Sequence, residues 1–527
     1  MLIRIASAKC IGIEALGVIV EVSVSNGIGV HLVGLADAAV KESLLRTVTA
    51  LQAIGLRVPG KKIVINLAPA DIHKKGSGYD LPIALGIIAA SEQMEMPDLE
   101  KYVIVGELGL DGTVREVPGA LPISEMAGLR GWKGCILPER SALETLGFEG
   151  GTVYGVRTIK DVLAIVCDRP EKDAFLIENL ASKRGQGGKE ADGCCDGTGQ
   201  EREDSGIMDF SEIVGQEAAK RGLEIAASGG HNAILIGPPG SGKSSLAKAM
   251  CRILPPLSPQ EALQTSKIYS VAGRGGSRGG LISERPFRAP HNTASIPALV
   301  GGGSDNITPG EISLAHNGIL FIDEFCEMPQ KTIEVLRGPL EDHKIVLSRL
   351  RSKVEYPANF TLIAATNPCP CGYYGEGDRC TCTVGQRRNY MAKLSGPIMD
   401  RIDIQLVCHS VPAGSLIEGR AGETTAVITE RVRAVRQLQR ERFADDGIFC
   451  NAQMNNRLIK KYCHLCPDCE KFLENFAANT GLSARACIKI IKLARTIADM
   501  DGSQDINVAH LAEAASYRFL DRTNAKI

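Results

Sequence analysis

The sequence predicts an α/β chain: a parallel-sheet core with a helical C-terminal region, preceded by a separate α+β unit. Three observations predict it. The apolar run Ala233-Ile234-Leu235-Ile236 leads into a glycine-rich turn and then a helical stretch beginning Ser245-Leu246-Ala247-Lys248. Two further apolar runs, Ile319-Leu320-Phe321-Ile322 and Phe360-Thr361-Leu362-Ile363-Ala364-Ala365, each end in polar residues, as strands of a buried parallel sheet do. Ahead of them, strand-like runs (Gly17 to Ser23, Ile63 to Leu67, Tyr102 to Val105) alternate with helical ones (Leu35 to Leu56, Leu81 to Ala90).

The turn after the first core strand reads Gly237-Pro238-Pro239-Gly240-Ser241-Gly242-Lys243-Ser244, which fits the P-loop pattern G-x-x-x-x-G-K-[ST]. Its glycines let backbone N–H groups turn inward around phosphates at a helix N-terminus. Lys243 is expected to reach the β- and γ-phosphates, and the Ser244 hydroxyl to ligate Mg²⁺. The second strand ends in Asp323-Glu324. Asp323 would hold the Mg²⁺ shell, and Glu324 would orient and polarise the attacking water. Asn367 closes the third strand and would position that water beside the γ-phosphate. Arg401 lies on a short loop between Asp400 and Ile402-Asp403. It is either a surface ion pair, which contributes little, or an arginine finger supplied to a neighbouring subunit.

That order of segments is the AAA+ order. The chain resembles more specifically the magnesium-chelatase-like AAA+ family of the ComM/YifB type. The resemblance is carried by Arg285-Pro286-Phe287-Arg288-Ala289-Pro290-His291, Ala298-Leu299-Val300-Gly301-Gly302-Gly303, Pro309-Gly310-Glu311-Ile312-Ser313-Leu314-Ala315-His316-Asn317-Gly318 and Asn367-Pro368-Cys369-Pro370-Cys371-Gly372. It runs from the N-terminus to about Tyr517, broken only by a central linker. Asn292 departs from the pattern, standing where the family commonly has a second histidine. An amide keeps a hydrogen bond there but not a charge. The resemblance implies ATP and Mg²⁺ as cofactors and a homo-oligomeric, hexameric ring. It places Arg485 as a second sensor arginine touching the γ-phosphate at the start of a lid helix, and Gly215-Gln216 near the adenine. It also implies translocation on single-stranded or branched DNA and migration of recombination intermediates linked to uptake of foreign DNA. A chelatase-type remodeller of a protein partner is the second reading.

Boundaries follow composition. Ala181 to Gly206 has seven glycines, mixed charges and no large aliphatic or aromatic residue, so it reads as a flexible linker. Residues 1–170 are then one domain, 207–410 the ATPase core with its insertions, and 411–527 the helical lid and C-terminal region. Within 1–170, the stretch Pro69 to Leu81 and Gly106-Glu107-Leu108-Gly109-Leu110-Asp111-Gly112 resemble the proteolytic domain of Lon, which uses a Ser–Lys dyad. Asp80 falls at the serine position and Leu121 or Pro122 at the lysine position, with no lysine between Lys101 and Lys133. Ser77 is three residues upstream of the required place, and a serine nucleophile needs a base within reach. An active Lon-like peptidase is the third reading; an inactive domain serving assembly or substrate engagement is the expectation.

A chain of 527 residues with 44% hydrophobic and 23% charged residues is ordinary globular material for two to four domains. Its net charge of −1 gives no global attraction to nucleic acid, so DNA contacts must be local. No apolar run approaches a membrane span, no signal-peptide layout opens the chain, and a cytoplasmic protein is expected. Seventeen cysteines then read as reduced thiols or metal ligands. Cys369-x-Cys371 and Cys380-x-Cys382 can close a structural Zn²⁺ site or remain reduced thiols. Cys463, Cys466 and Cys469 read as core or surface thiols, with Pro467 interrupting the helical pattern there. Cys194-Cys195 in the linker read as bystanders. The long segment from Ser270 to Gly303 and the hairpin-like Lys344 to Tyr356 match insertions that the resemblance places at a ring's pore. Arg349, Arg351 and Lys353 at the hairpin tip either contact DNA phosphates or form a solvated turn. Leu482 to Met500 has helical spacing, with Ser483 as N-cap and Ile490, Leu493, Ala494 and Ile497 on one face.

Overall fold

The computed structural model describes residues 1–33, 38–69, 76–186, 209–275, 279–303, 307–349, 352–411, 414 and 422–520. Arg351, Cys194 and Cys195 lie outside the described residues, as does the Arg349 side chain.

The core is a parallel sheet with strand order Phe287–Arg288, Ile319–Ile322, Thr361–Thr366, Ala233–Ile236, Ile404–Val407. Its strands read as unbroken apolar runs because both faces are covered. Leu235, Phe321, Ile363 and Leu406 face one layer, which includes Leu223, Leu246 and Met250. Ile234, Leu320, Ile322 and Leu362 face the other, with Leu299, Phe325 and Ile333. Each such side chain contributes about 1.5–3 kcal/mol by leaving water. Because every strand runs the same way, the residues after each strand meet at one edge. There stand the glycine-rich turn, Asp323-Glu324 and Asn367.

The N-terminal unit is built on a mixed sheet in the order Gly29–Val33, Lys62–Ala68, Glu14–Ser25, Leu2–Ile11, Tyr102–Ile104, Gly134–Pro138, Val153–Val156. The helix Asp80–Ala90 is buried along almost its whole length against that sheet, among Ile5, Val20, Val22 and Ile65. A helix Ile177–Gln186 takes up the first residues of the stretch expected to be linker from Ala181.

C-terminal helices Thr425–Arg442, Pro467–Thr480, Ala484–Met500 and Val508–Ser516 pack on the core. Ser483 caps the third, its Oγ accepting from the Ala486 N–H at 3.2 Å, and Ile490, Leu493, Ala494 and Ile497 are buried. Pro467 does not interrupt a helix; it begins one. At the first helical position its missing N–H costs nothing and its fixed φ suits the turn. Among the described residues, no helix is long and apolar enough to cross a membrane.

The N-terminal unit rests on the core helix Pro259–Val271. The N–H groups of Gly119 and Leu121, at the start of the helix Ala120–Leu129, donate to the Ser270 carbonyl at 2.9 Å and the Ser270 hydroxyl at 3.3 Å. Lys267 pairs with Glu125 alongside.

Candidate functional site

The sheet edge brings five expected residues together. Ser244 donates its hydroxyl hydrogen to Asp323 Oδ2 at 2.8 Å, and the Glu324 N–H donates to Asp323 Oδ1 at 2.8 Å. The Lys243 ammonium donates to the carbonyls of Gly237 and Pro238, both at 2.8 Å, and reaches Asn367 Oδ1 at 3.4 Å. Burial lowers the Lys243 pKa, opposed by the negative charges of Asp323 and Glu324. Gly240 and Gly242 have φ of +76° and +83°, and a Cβ at either would meet open space. The turn therefore leaves open space beside its backbone at both glycines, while the Ser241 N–H donates within the turn to the Pro238 carbonyl at 3.3 Å. Ser244 and Asp323 form the hydroxyl–carboxylate pair that holds Mg²⁺ in P-loop sites. These residues fit a Mg²⁺–nucleoside triphosphate.

Glu324 sits at φ +49° and accepts a hydrogen bond from the Asn292 amide at 2.5 Å. Sequence reasoning met Asn292 only as a departure from a family pattern. Its partner lies 32 residues downstream in the turn after the neighbouring strand, and no spacing rule links the two. Gln216 donates through Nε2 to the Ser241 carbonyl at 3.1 Å and the His409 carbonyl at 2.6 Å. It thereby ties the turn to a neighbouring cavity of about 420 Å³ bounded by Gly215, His409 and Tyr517.

Arg401 and Arg485 are not at this edge. The register Ala233↔Ile404 to Ile236↔Val407 puts Arg401 before its strand and Gly237 after the adjacent parallel one. The two residues are separated by the length of the sheet, roughly 13 Å for four residues. Arg401 Nη1 donates to the Pro397 carbonyl at 2.7 Å, Nε to the Arg337 carbonyl at 3.2 Å, and Nη2 pairs with Glu341. Arg485 reaches Asp400 at 3.5 Å, so the two arginines share one face. Their loop is braced from below. The Asn232 side chain donates to the Arg401 carbonyl at 3.0 Å, and Lys489 pairs with buried Asp403 at 2.7 Å. Burial opposes ionisation of Asp403, but Lys489 and His231 hold its pKa well below the ordinary carboxylate value.

The Sγ atoms of Cys369, Cys371, Cys380 and Cys382 all lie within 4.8 Å of one another, close enough to hold one metal ion. The Tyr373 backbone N–H, with neighbouring thiols, draws the Cys371 thiol down to about 6. Cys463 and Cys469 instead join the hydrophobic core while Cys466 is exposed, and among the described residues these three do not form a group that could hold a metal ion. Lys353 stands on the hairpin Lys344–Arg349/Ser352–Pro357 with its ammonium 3.8 Å from Glu355.

In the N-terminal unit Asp80 is fully buried. It accepts from Arg46 Nε at 2.9 Å and from the Leu108 N–H at 3.2 Å. Leu121 is buried and apolar, and Ser77 contacts Glu107. Asp80 and Leu121 thus supply neither the serine nor the lysine of a Ser–Lys dyad, and the Ser77 hydroxyl donates to the Glu107 carboxylate rather than to a lysine.

The chain matches the family model of magnesium chelatase subunit ChlI over residues 209–416. Its N-terminal part matches that of subunit ChlI of Mg-chelatase over residues 20–141, and its C-terminal part the ChlI C-terminal model over residues 422–518. It is 42% identical over 514 residues to the YifB protein of Salmonella typhimurium, covering 97% of this chain and 96% of that one. Against the competence protein ComM of Haemophilus influenzae it is 39% identical over 526 residues, 99% of this chain and 98% of the relative. A probable DNA helicase MCM9 of Arabidopsis thaliana is 24% identical over 213 residues, 40% of this chain and 26% of that protein.

Proposed function

The chain belongs to the ComM/YifB-type, magnesium-chelatase-like family of AAA+ ATPases, and from that premise we propose that it is an ATP-driven hexameric ring motor working on DNA. The single observation carrying the ring is the placement of Arg401 and Arg485. Both lie at the sheet end remote from the chain's own P-loop, so the γ-phosphate they meet is a neighbour's. The N–H groups of residues 240–244 and the Lys243 ammonium hold the phosphates, and Ser244 and Asp323 hold Mg²⁺. Held there, Mg²⁺ would supply positive charge against the phosphate oxygens. Glu324, once clear of the Asn292 amide, draws a proton from water aligned by Asn367. Arg401 and Arg485 of the adjoining subunit stabilise the transition-state charge. Four cysteine thiolates hold a structural Zn²⁺ beside this site.

DNA as the substrate follows from the likeness to a competence protein and the weaker one to a helicase. Arg349, Arg351 and Lys353 on the hairpin are the proposed phosphate contacts, and migration of branched recombination intermediates during uptake of foreign DNA is the proposed task. The N-terminal unit is proposed as a Lon-like domain without peptidase activity, since an ion pair with Arg46 fills the nucleophile position. A remodeller of a protein partner is the second reading, favoured by the chelatase family match.

ATP turnover with four-way or forked DNA, plain duplex and no nucleic acid tests the substrate. Turnover should rise several-fold with branched DNA, and binding should weaken steeply with salt. Turnover indifferent to every DNA would sink the DNA reading and leave the protein partner.

A further inference from the structure

The loop from Cys369 to Cys382 has little to fold around. Of its 14 residues only Cys369 and Gly372 are buried, and its one regular element is the three-residue turn Gly377–Arg379. Fixing each residue's backbone costs conformational entropy, so such a loop needs a cross-link to keep one shape. Its sulfurs supply the geometry of one. Cys369 and Cys371 are 3.3 Å apart, Cys369 and Cys380 3.8 Å, and Cys371 and Cys380 3.7 Å. A tetrahedron of thiolates about 2.3 Å from a central Zn²⁺ has S···S edges of about 3.8 Å. These separations suit a single ion; a polynuclear iron–sulfur cluster spreads its thiolates over several irons.

The shaped loop touches the nucleotide site at two points. Gly372 lies against the P-loop: a Cβ there would come 2.8 Å from Pro239 Cδ. Four residues on, Glu376 accepts a hydrogen bond from the Ser410 N–H at 3.2 Å. Ser410 adjoins His409, whose carbonyl takes the Gln216 amide that also reaches Ser241 of the P-loop. The loop thus bridges two chain segments far apart in sequence, the phosphate turn and the wall of the adjoining cavity.

We propose that Cys369, Cys371, Cys380 and Cys382 bind one Zn²⁺ whose occupancy is thermodynamically coupled to ATP affinity, because the metal fixes the loop that clamps Pro239 to Ser410. The coupling rests on reading residues 237–244 as the ATP site. By reciprocity, metal strengthens nucleotide binding and nucleotide strengthens metal binding by the same factor.

The test uses the purified full chain, its metal content, a fluorescent ATP analogue and a chromogenic zinc chelator. One zinc per chain is expected. Removing it should weaken the analogue's binding by about tenfold, within the usual range of coupling between sites. ATP should retard zinc transfer to the chelator. The pair C380S/C382S should lose zinc and affinity together. Glu376→Ala, which spares every thiol, should keep zinc and still lose several-fold in affinity, which decides the matter if the cysteine variant fails to fold. Absence of zinc, iron in its place, or affinity indifferent to the metal and to Glu376→Ala would overturn the coupling. A wild-type chain that binds no ATP analogue overturns the nucleotide reading as well, whereas binding that ignores the metal overturns the coupling alone.

Discussion

Burial disfavours the charged form of Lys243, yet Asp323 and Glu324 oppose that shift, and two P-loop carbonyls and Asn367 surround its ammonium. Lys243→Ala removes a charge-assisted donor from each phosphate it meets, at about 1.5–3 kcal/mol per bond. ATP affinity should fall by about 100-fold or more in a titration, and unchanged binding would refute the P-loop assignment. Asn292 acts on the other half of the reaction. Its amide occupies a carboxylate oxygen of Glu324 that the proposed reaction needs free to polarise water. Asn292→Ala should therefore raise DNA-independent turnover, by about tenfold if one hydrogen bond to a charged carboxylate is lost, with ATP affinity unchanged. A fall in affinity would show that the amide shapes the pocket instead. Lys243 was legible in the sequence because the P-loop is a contiguous pattern. The role of Asn292 was not, since it depends on two strands lying side by side.

Elements divide in the same way. The strands expected at Ile63 to Leu67 and Tyr102 to Val105, and the helix at Leu81 to Ala90, formed within a residue or so of their expected bounds, because period-2 and buried-run patterns are local. The long strand Leu2–Ile11 went unread, its alternation blurred by Ala6, Ala8 and Lys9. Docking of the N-terminal unit on the helix Pro259–Val271 also has no sequence signal, being made of backbone donors to Ser270. Glu144 lies at this contact with Oε2 buried and unpartnered. Burial pushes its pKa up to about 7 from 4.5, the Ser270 hydrogen bond opposing and Glu116 adding to the rise. The docked state thus binds more protons than an undocked or unfolded one. The contribution of Glu144 to docking is fully present below pH 4.5, declines as pH rises through the window from 4.5 to about 7, and is lost above it. The swing is on the order of 3 kcal/mol. Hydrogen-exchange protection along Pro259–Val271 should be greater at pH 5 than at pH 8 after correction for intrinsic rates, and Glu144→Gln should flatten the difference. Protection that rises with pH in the wild-type chain would contradict this account.

At the scale of the whole molecule, each chain carries two half-sites at opposite ends of one sheet. Arg401 was legible as a motif, but its distance from Lys243 comes from the parallel register of Ile404–Val407 beside Ala233–Ile236, which a linear sequence does not display. On the proposed reading such a chain would hydrolyse ATP only head to tail, and such heterologous contacts close into rings when the rotation permits. Complementation between two inactive variants tests it directly. Lys243→Ala keeps the arginine half-site and loses the phosphate half; Arg401→Ala does the reverse, still binding ATP but not hydrolysing it. Co-assembled in equal amounts, about a quarter of head-to-tail interfaces would pair an intact P-loop with an intact Arg401. ATP turnover should therefore reappear at a substantial fraction of that share, although neither variant alone turns over. Adding the double variant K243A/R401A to the Arg401→Ala chain supplies no arginine and should restore nothing. A mixture as inactive as its parts, with co-assembly verified by pull-down, would mean that Arg401 does not act across the interface.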